Sequence, residues 1–147
     1  MLAENRQKLV ESFRVKCRKH KLSMTPQRLA VYTELIKSTD HPDSEDIYQR
    51  VKTSCPDISL DTVYRTLSKF AEIGVVDLVE GYGESKRYDP DTDKHHHLRC
   101  TQCNKIIDFH DEQFDNLKIP RMLQKNFRVT NVKVILEGRC SDCSKNL

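Results

Sequence analysis

The chain has 147 residues, 37% hydrophobic and 32% charged, a balance that suits one ordinary soluble domain or two small ones. No apolar run approaches the ~18 residues of a membrane span, and the opening MLAENRQKLV lacks the apolar stretch of a signal peptide, so the expected compartment is the cytoplasm, with no membrane partner. The net charge of +3 does not by itself indicate nucleic acid, but residues 1–28 carry eight basic side chains against only Glu4 and Glu11.

Residues 3–20 read as a first helix, with Leu9, Phe13 and Cys17 at i, i+4 and i+8. Thr25 is placed to cap a second helix with Pro26 in its first position, and Leu29, Tyr32, Leu35 and Ile36 form its apolar stripe. Asp40-His41-Pro42 is expected to stop it. Ser44 is expected to cap a third helix carrying Ile47 and Val51. Ser59 caps a fourth, in which Val63, Leu67 and Phe70 make the apolar face and Gly74 the left-handed end. Strands at 75–80 and 85–88 around Gly81-Tyr82-Gly83 predict a hairpin. Helices followed by a hairpin outline a winged helix-turn-helix over residues 1–88.

Residues 89–93 are polar and read as a hinge. Beyond them, 97–100, 105–110 and 131–136 look like strands, and 111–125 like a helix that Pro120 interrupts or kinks. The fold class is therefore α+β, with an N-terminal winged helix and a small C-terminal α/β dimerisation domain over 94–147.

The outer face of the fourth helix carries Thr62, Tyr64, Arg65, Thr66 and Lys69, side chains able to meet phosphates and base edges. The candidate DNA contacts are Arg18, Thr25, Gln27, Arg28, Ser59, Thr62, Tyr64 and Arg65. One small domain covers limited DNA surface, so a homodimer on a palindromic duplex operator is expected.

Cys100-x-x-Cys103 and Cys140-x-x-Cys143, 36 residues apart, have the spacing of two knuckles that close four thiolates around Zn2+ with no open position. Such a staple suits a domain of this size, whose core alone is marginal. Cys17 and Cys55 match no ligand position and read as structural.

The histidines cluster at His95-His96-His97. On an extended strand His95 and His97 share a face, while His96 points away. Asp89 and Asp108 can add oxygen ligands and His41 can complete the set, a donor mixture that suits Fe2+, Mn2+ or Zn2+. A metalloenzyme is the reading from another class. Five protein ligands leave it little open coordination, and no nucleophile or general base stands nearby, so the chain is not expected to be an enzyme.

Met24-Thr25-Pro26-Gln27-Arg28, His41-Pro42, Asp61-Thr62-Val63-Tyr64-Arg65-Thr66-Leu67 and His95-His96-His97-Leu98-Arg99-Cys100-Thr101-Gln102-Cys103, with the second C-x-x-C, together resemble the ferric-uptake-regulator (Fur) family over essentially the whole chain. The resemblance implies a homodimer that represses promoters when metallated, with Tyr64 and Arg65 at the DNA. It implies structural zinc on Cys100, Cys103, Cys140 and Cys143, and a regulatory ion on His41, Asp89, His95, His97 and Asp108. Aspartate at 89 and 108, where iron-sensing members usually carry glutamate, resembles the peroxide-sensing PerR branch. Fe2+ at that site would then react with H2O2 and oxidise His41 or His95, while Mn2+ would support DNA binding with little reactivity. Within the family the alternative is a regulator of iron or other metal uptake. Asn104 replaces the usual glycine after the second knuckle cysteine, and Lys94 and His96 replace the pair that serves a further metal site in many Fur proteins.

Overall fold

Leu9, Phe13 and Cys17 form the inner stripe of α1 (Ala3–Lys19), with Phe13 and Cys17 fully buried. In the computed structural model the described residues are 3–79 and 86–145, and the chain divides between Thr92 and Asp93 into two compact units.

In the first unit, α2 (Pro26–Lys37) starts as its sequence dictates. Thr25 is extended, its hydroxyl accepts from the Arg28 N–H at 3.2 Å, and Pro26 occupies a position where no N–H is needed. The helix ends at Lys37, before the expected Asp40-His41-Pro42 stop, because Ser38 closes it: its N–H returns to the Leu35 carbonyl and its hydroxyl to that of Glu34. The cap of α3 (Ser44–Val51) is Asp43 rather than Ser44. Asp43 accepts from the Asp46 N–H at 2.8 Å, and Asp46 reaches back to the Asp43 N–H at 3.2 Å, a reciprocal box that places Ser44 inside the helix.

Ser59 caps α4 (Leu60–Glu72), whose Val63, Leu67 and Phe70 are buried. Gly74, at φ +80, turns the chain out of α4, with N–H groups of Gly74 and Val75 returning to the Ala71 and Phe70 carbonyls. β1 (Asp77–Val79) and β2 (Arg87–Asp89) then pair antiparallel with Leu78 opposite Tyr88. The expected Gly81-Tyr82-Gly83 turn lies outside the described residues. The core is knotted by aromatics: Phe13 stacks on Tyr32 at 3.9 Å and meets Phe70 edge-on at 5.0 Å. Burial pushes the Tyr32 phenol up to about 12 and raises the Cys17 thiol above its ordinary value. This is the winged helix-turn-helix that the pattern predicts.

In the second unit β3 (His96–Cys100) is central, antiparallel to β4 (Ile106–Phe109) and parallel to β5 (Ile135–Gly138). The helix expected over 111–125 is broken at Pro120 and shortened. Only two four-residue turns form, α5 (Glu112–Asp115) and α6 (Arg121–Gln124), because Pro120 cannot sit in a helix interior and disfavours helical geometry at Ile119. Pro120 instead occupies the N-cap of α6. The third strand also starts later than expected, at Ile135, since the Val134 N–H is taken by the His96 ring rather than by a ladder. The short α7 (Ser141–Ser144) ends the described chain. Leu98 sits opposite both Ile107 and Leu136 in one cross-sheet row, and all three are about two-fifths exposed.

Leu67→Ala should destabilise the first unit by about 2–5 kcal/mol, through a cavity at a fully buried site. Gly74→Ala should cost only about 1 kcal/mol, from backbone strain, because an added Cβ meets nothing within 4 Å. Urea unfolding followed by circular dichroism orders the two, and equal losses would contradict this packing. Cys17 should resist iodoacetamide in the folded protein and react in urea. Rapid labelling of the native chain would show that its burial is wrongly assigned.

Candidate metal centres and nucleic-acid face

Cys100 closes β3, and the chain turns at once. The Asn104 N–H bonds to the Cys100 carbonyl at 2.9 Å, and Asn104 is left-handed at φ 61, a conformation that asparagine tolerates in place of glycine. Thr101 N–H to Gly138 O at 2.8 Å brings the second cysteine pair alongside, with Cys140 at the start of α7. The sulfurs of Cys100, Cys103, Cys140 and Cys143 all lie within 4.8 Å of one another, and Cys103 and Cys140 are 3.8 Å apart. Four sulfurs at ~2.3 Å from one ion are separated by about 3.8 Å at each tetrahedral edge. The backbone N–H groups of Cys103 and then Cys140 pull Cys100 down to about 6, whereas its hydrogen bond with the Cys140 thiol heads the causes that push Cys143 up to about 12. Sulfurs this close cannot all ionise side by side unless a cation compensates them, and Zn2+ fits the donor set.

The first unit carries a buried acid–base pair. His41 Nε2 lies 3.2 Å from Asp89 Oδ2, and the two residues are 5% and 3% exposed. Asp89 is the last residue of β2, not the first of a hinge, and its Oδ1 accepts from the Asp91 N–H at 2.9 Å. The second unit carries a triad. His95 Nδ1 lies 2.6 Å from the Asp93 carbonyl, which can only accept, so Nδ1 carries a proton and donates. His95 Nε2 stands 3.1 Å from His97 Nε2, while Asp108 Oδ1 is 3.1 Å from His97 Nε2 and 3.6 Å from His95 Nε2. Ligands at right angles about an ion with ~2.1 Å bonds stand about 3 Å apart.

His96 turns to the opposite face, as strand alternation requires. It is fully buried, accepts the Val134 N–H on Nδ1 at 3.2 Å and places Nε2 2.7 Å from Asp115 Oδ1. Its role is structural. The sequence pattern separates it from its neighbours but does not reveal these partners, because Asp115 and Val134 lie 19 and 38 residues away.

The start of α2 and the outer face of α4 line one groove with Thr25, Gln27, Arg28, Thr62, Arg65, Thr66 and Lys69, together with Asp61. Of the candidate contacts, Thr25, Gln27, Arg28, Thr62 and Arg65 thus come together. Arg18, Ser59 and Tyr64 lie outside the groove, and Tyr64 lines a separate depression with Leu60. Thr66 is buried rather than outward-facing, because it falls on the edge of the apolar stripe beside Leu67. Ser59 and Thr25 already serve as caps, so both helix N-termini present their remaining N–H groups and positive dipole ends. Arg65 pairs with Asp61 at 3.0 Å on an exposed surface, a weak bond that a phosphate can replace.

Sequence reasoning overlooked Arg87. Its Nε donates to the His41 carbonyl and its Nη2 to the Asp40 carbonyl, both at 2.6 Å. The one available signal was its spacing: two positions before Asp89 on a strand, it shares that residue's face.

Residues 19–137 match the ferric uptake regulator family. The chain is 37% identical over 126 residues to the peroxide-responsive repressor PerR of Staphylococcus saprophyticus, a match covering 86% of this chain and 85% of that one. In structure it resembles the peroxide stress regulator of Campylobacter jejuni, with a TM-score of 0.67 at 30% identity, covering 86% of this chain and 95% of that one. It shares the fold of the Helicobacter pylori ferric uptake regulator, a protein with three functional metal binding sites, with a TM-score of 0.75 at 23% identity and coverage of 95% and 93%. The family match runs from the end of α1 through the helix-turn-helix and the first C-x-x-C to β5, and on it the chain belongs to the ferric uptake regulator family.

Proposed function

We propose that this chain is a metal-dependent, DNA-binding transcriptional repressor, working in the cytoplasm as a homodimer on a palindromic operator, and that it senses peroxide. In this reading Cys100, Cys103, Cys140 and Cys143 hold structural Zn2+, and His41, Asp89, His95, His97 and Asp108 together hold one regulatory Fe2+ or Mn2+. The observation that carries it is the burial of His41, Asp89 and His95 among further ionisable donors. Buried charge is costly unless paired or bound to a cation, and imidazoles mixed with carboxylates suit a borderline or hard dication.

Each protein group has a task. The Asp93 carbonyl keeps the proton on His95 Nδ1 and so presents Nε2 as a donor. Asp91 holds one Asp89 oxygen, directing the other toward His41. An ion that takes ligands from both units favours one arrangement of the reading helices, so its occupancy becomes a switch on DNA affinity. Held by these residues, Fe2+ would supply the redox chemistry by which H2O2 transfers one oxygen to a ligand imidazole and leaves the other as water. His41 or His95 so oxidised would be a poorer ligand, and the switch would open.

Aspartate at 89 and 108 and the resemblance to relatives named for peroxide response support this branch over an iron-uptake regulator. Exposed Leu98, Ile107 and Leu136, aligned across the second unit's sheet, support burial against a second copy.

Fe2+-loaded protein treated with mild H2O2 should gain one oxygen on the peptide holding His41 or His95 and release its operator. Intact peptides and undiminished DNA binding after the same treatment would instead favour an iron-uptake regulator. One Zn2+ per chain should survive dialysis, and Cys103→Ser or Cys140→Ser should lose both the zinc and the dimer, read by metal analysis and light scattering. A stable dimer with full zinc in either variant would refute the four-thiolate site. DNA affinity should fall steeply with salt, and Arg65→Ala should reduce both affinity and the salt slope.

A further inference from the structure

His41 is one of three non-glycine residues among those described with positive φ, at 50°. A left-handed conformation is unfavourable for such a residue, so something must hold it there. What holds it is the second wing strand. Arg87 donates from Nε to the His41 carbonyl and from Nη2 to the Asp40 carbonyl, each at 2.6 Å. The next residue, Tyr88, donates its backbone N–H to the Pro42 carbonyl at 3.0 Å, and Asp43 bridges back to Arg87. Three consecutive carbonyls are thus fixed from β2, which ends on Asp89. On the other side Arg50 grips the Asp40 carboxylate through two hydrogen bonds, at 2.6 and 3.1 Å, and this holds Asp40 below its usual range.

We infer that Arg87 is a positioning residue for the sensing centre. By locking the backbone of Asp40 and His41 it holds the His41 imidazole against Asp89 and presets the first unit's half of the metal site. The inference rests on the reading of His41 and Asp89 as ligands. A guanidinium suits the task because its planar fork engages two neighbouring carbonyls at once, which a lysine ammonium does less rigidly. The same clamp bears on Asp43, the cap of α3, so the placement of His41 and the start of the helix-turn-helix share one anchor.

The test uses the full-length protein with Arg87→Gln, Arg87→Lys and His41→Ala. Apparent Mn2+ affinity is measured from the electron paramagnetic resonance of unbound Mn2+. After Fe2+ loading and H2O2, the ratio of oxygen gained on the His41 and His95 peptides is measured by mass spectrometry. Arg87→Gln should weaken Mn2+ binding about tenfold, the scale of a lost ligand-orienting partner. It should also lower the His41:His95 ratio, since His95 keeps its Asp93 partner, while Arg87→Lys recovers part of both. Wild-type affinity and ratio in a folded Arg87→Gln would overturn the inference. So would a loss of thermal stability with an unchanged ratio, which marks a purely structural role. If Arg87→Gln does not fold, Arg87→Lys decides by the same ratio. His41→Ala binding Mn2+ like the wild type would overturn the ligand reading itself, a failure separate from that of Arg87.

Discussion

Ionisable side chains gathered in buried or crowded clusters are the constraint on which the rest of this structure depends. His41, Asp89 and His95 are each at most 7% exposed, and four cysteine sulfurs crowd within 4.8 Å. Taking carboxylates and thiolates out of water costs several kcal/mol per group unless they are paired or bound to a cation. A dication bound among such donors would supply compensating charge. The fold spends its local order on keeping these donors apart by the right few ångströms.

The two units meet that constraint differently. The first has an apolar core of its own, centred on Phe13, Tyr32, Leu67 and Phe70, and can hold a polar pair on its wing without losing cohesion. The second has few buried apolar side chains, with Ile106 and Cys100 the main ones among its described residues, while Met122, Leu123 and Phe127 are largely exposed. For so thin a core, a metal that ties β3 to α7 would serve stability before it serves regulation.

Much of this was legible in the residues because it is local. Thr25-Pro26, Ser59 and Gly74 act within one helical turn, and their caps are where the sequence places them. The two C-x-x-C knuckles carry their geometry in their spacing, and strand alternation separates His96 from His95 and His97. What escaped depends on distant partners. Arg87 acts on a loop 46 residues away, and the left-handed turn at His41 has no signature in its own residue type. The helix expected over 111–125 breaks at Pro120, as that residue implies, but it is shorter than expected on both sides because neither remaining turn has a side chain of its own buried. Thr66 and the cap at Asp43 were missed by one position each, the scale on which periodicity loses resolution.

The central claim is that one ion gathers ligands from both units. It is tested most directly by counting Mn2+ per protomer in zinc-loaded protein carrying Asp89→Ala, His97→Ala or both. The account predicts one tightly held Mn2+ in the wild type, the same ion lost in either single variant, and no further loss in the double. A tight Mn2+ retained in one single variant and lost only when both ligands are removed would mean two independent sites, and would contradict it.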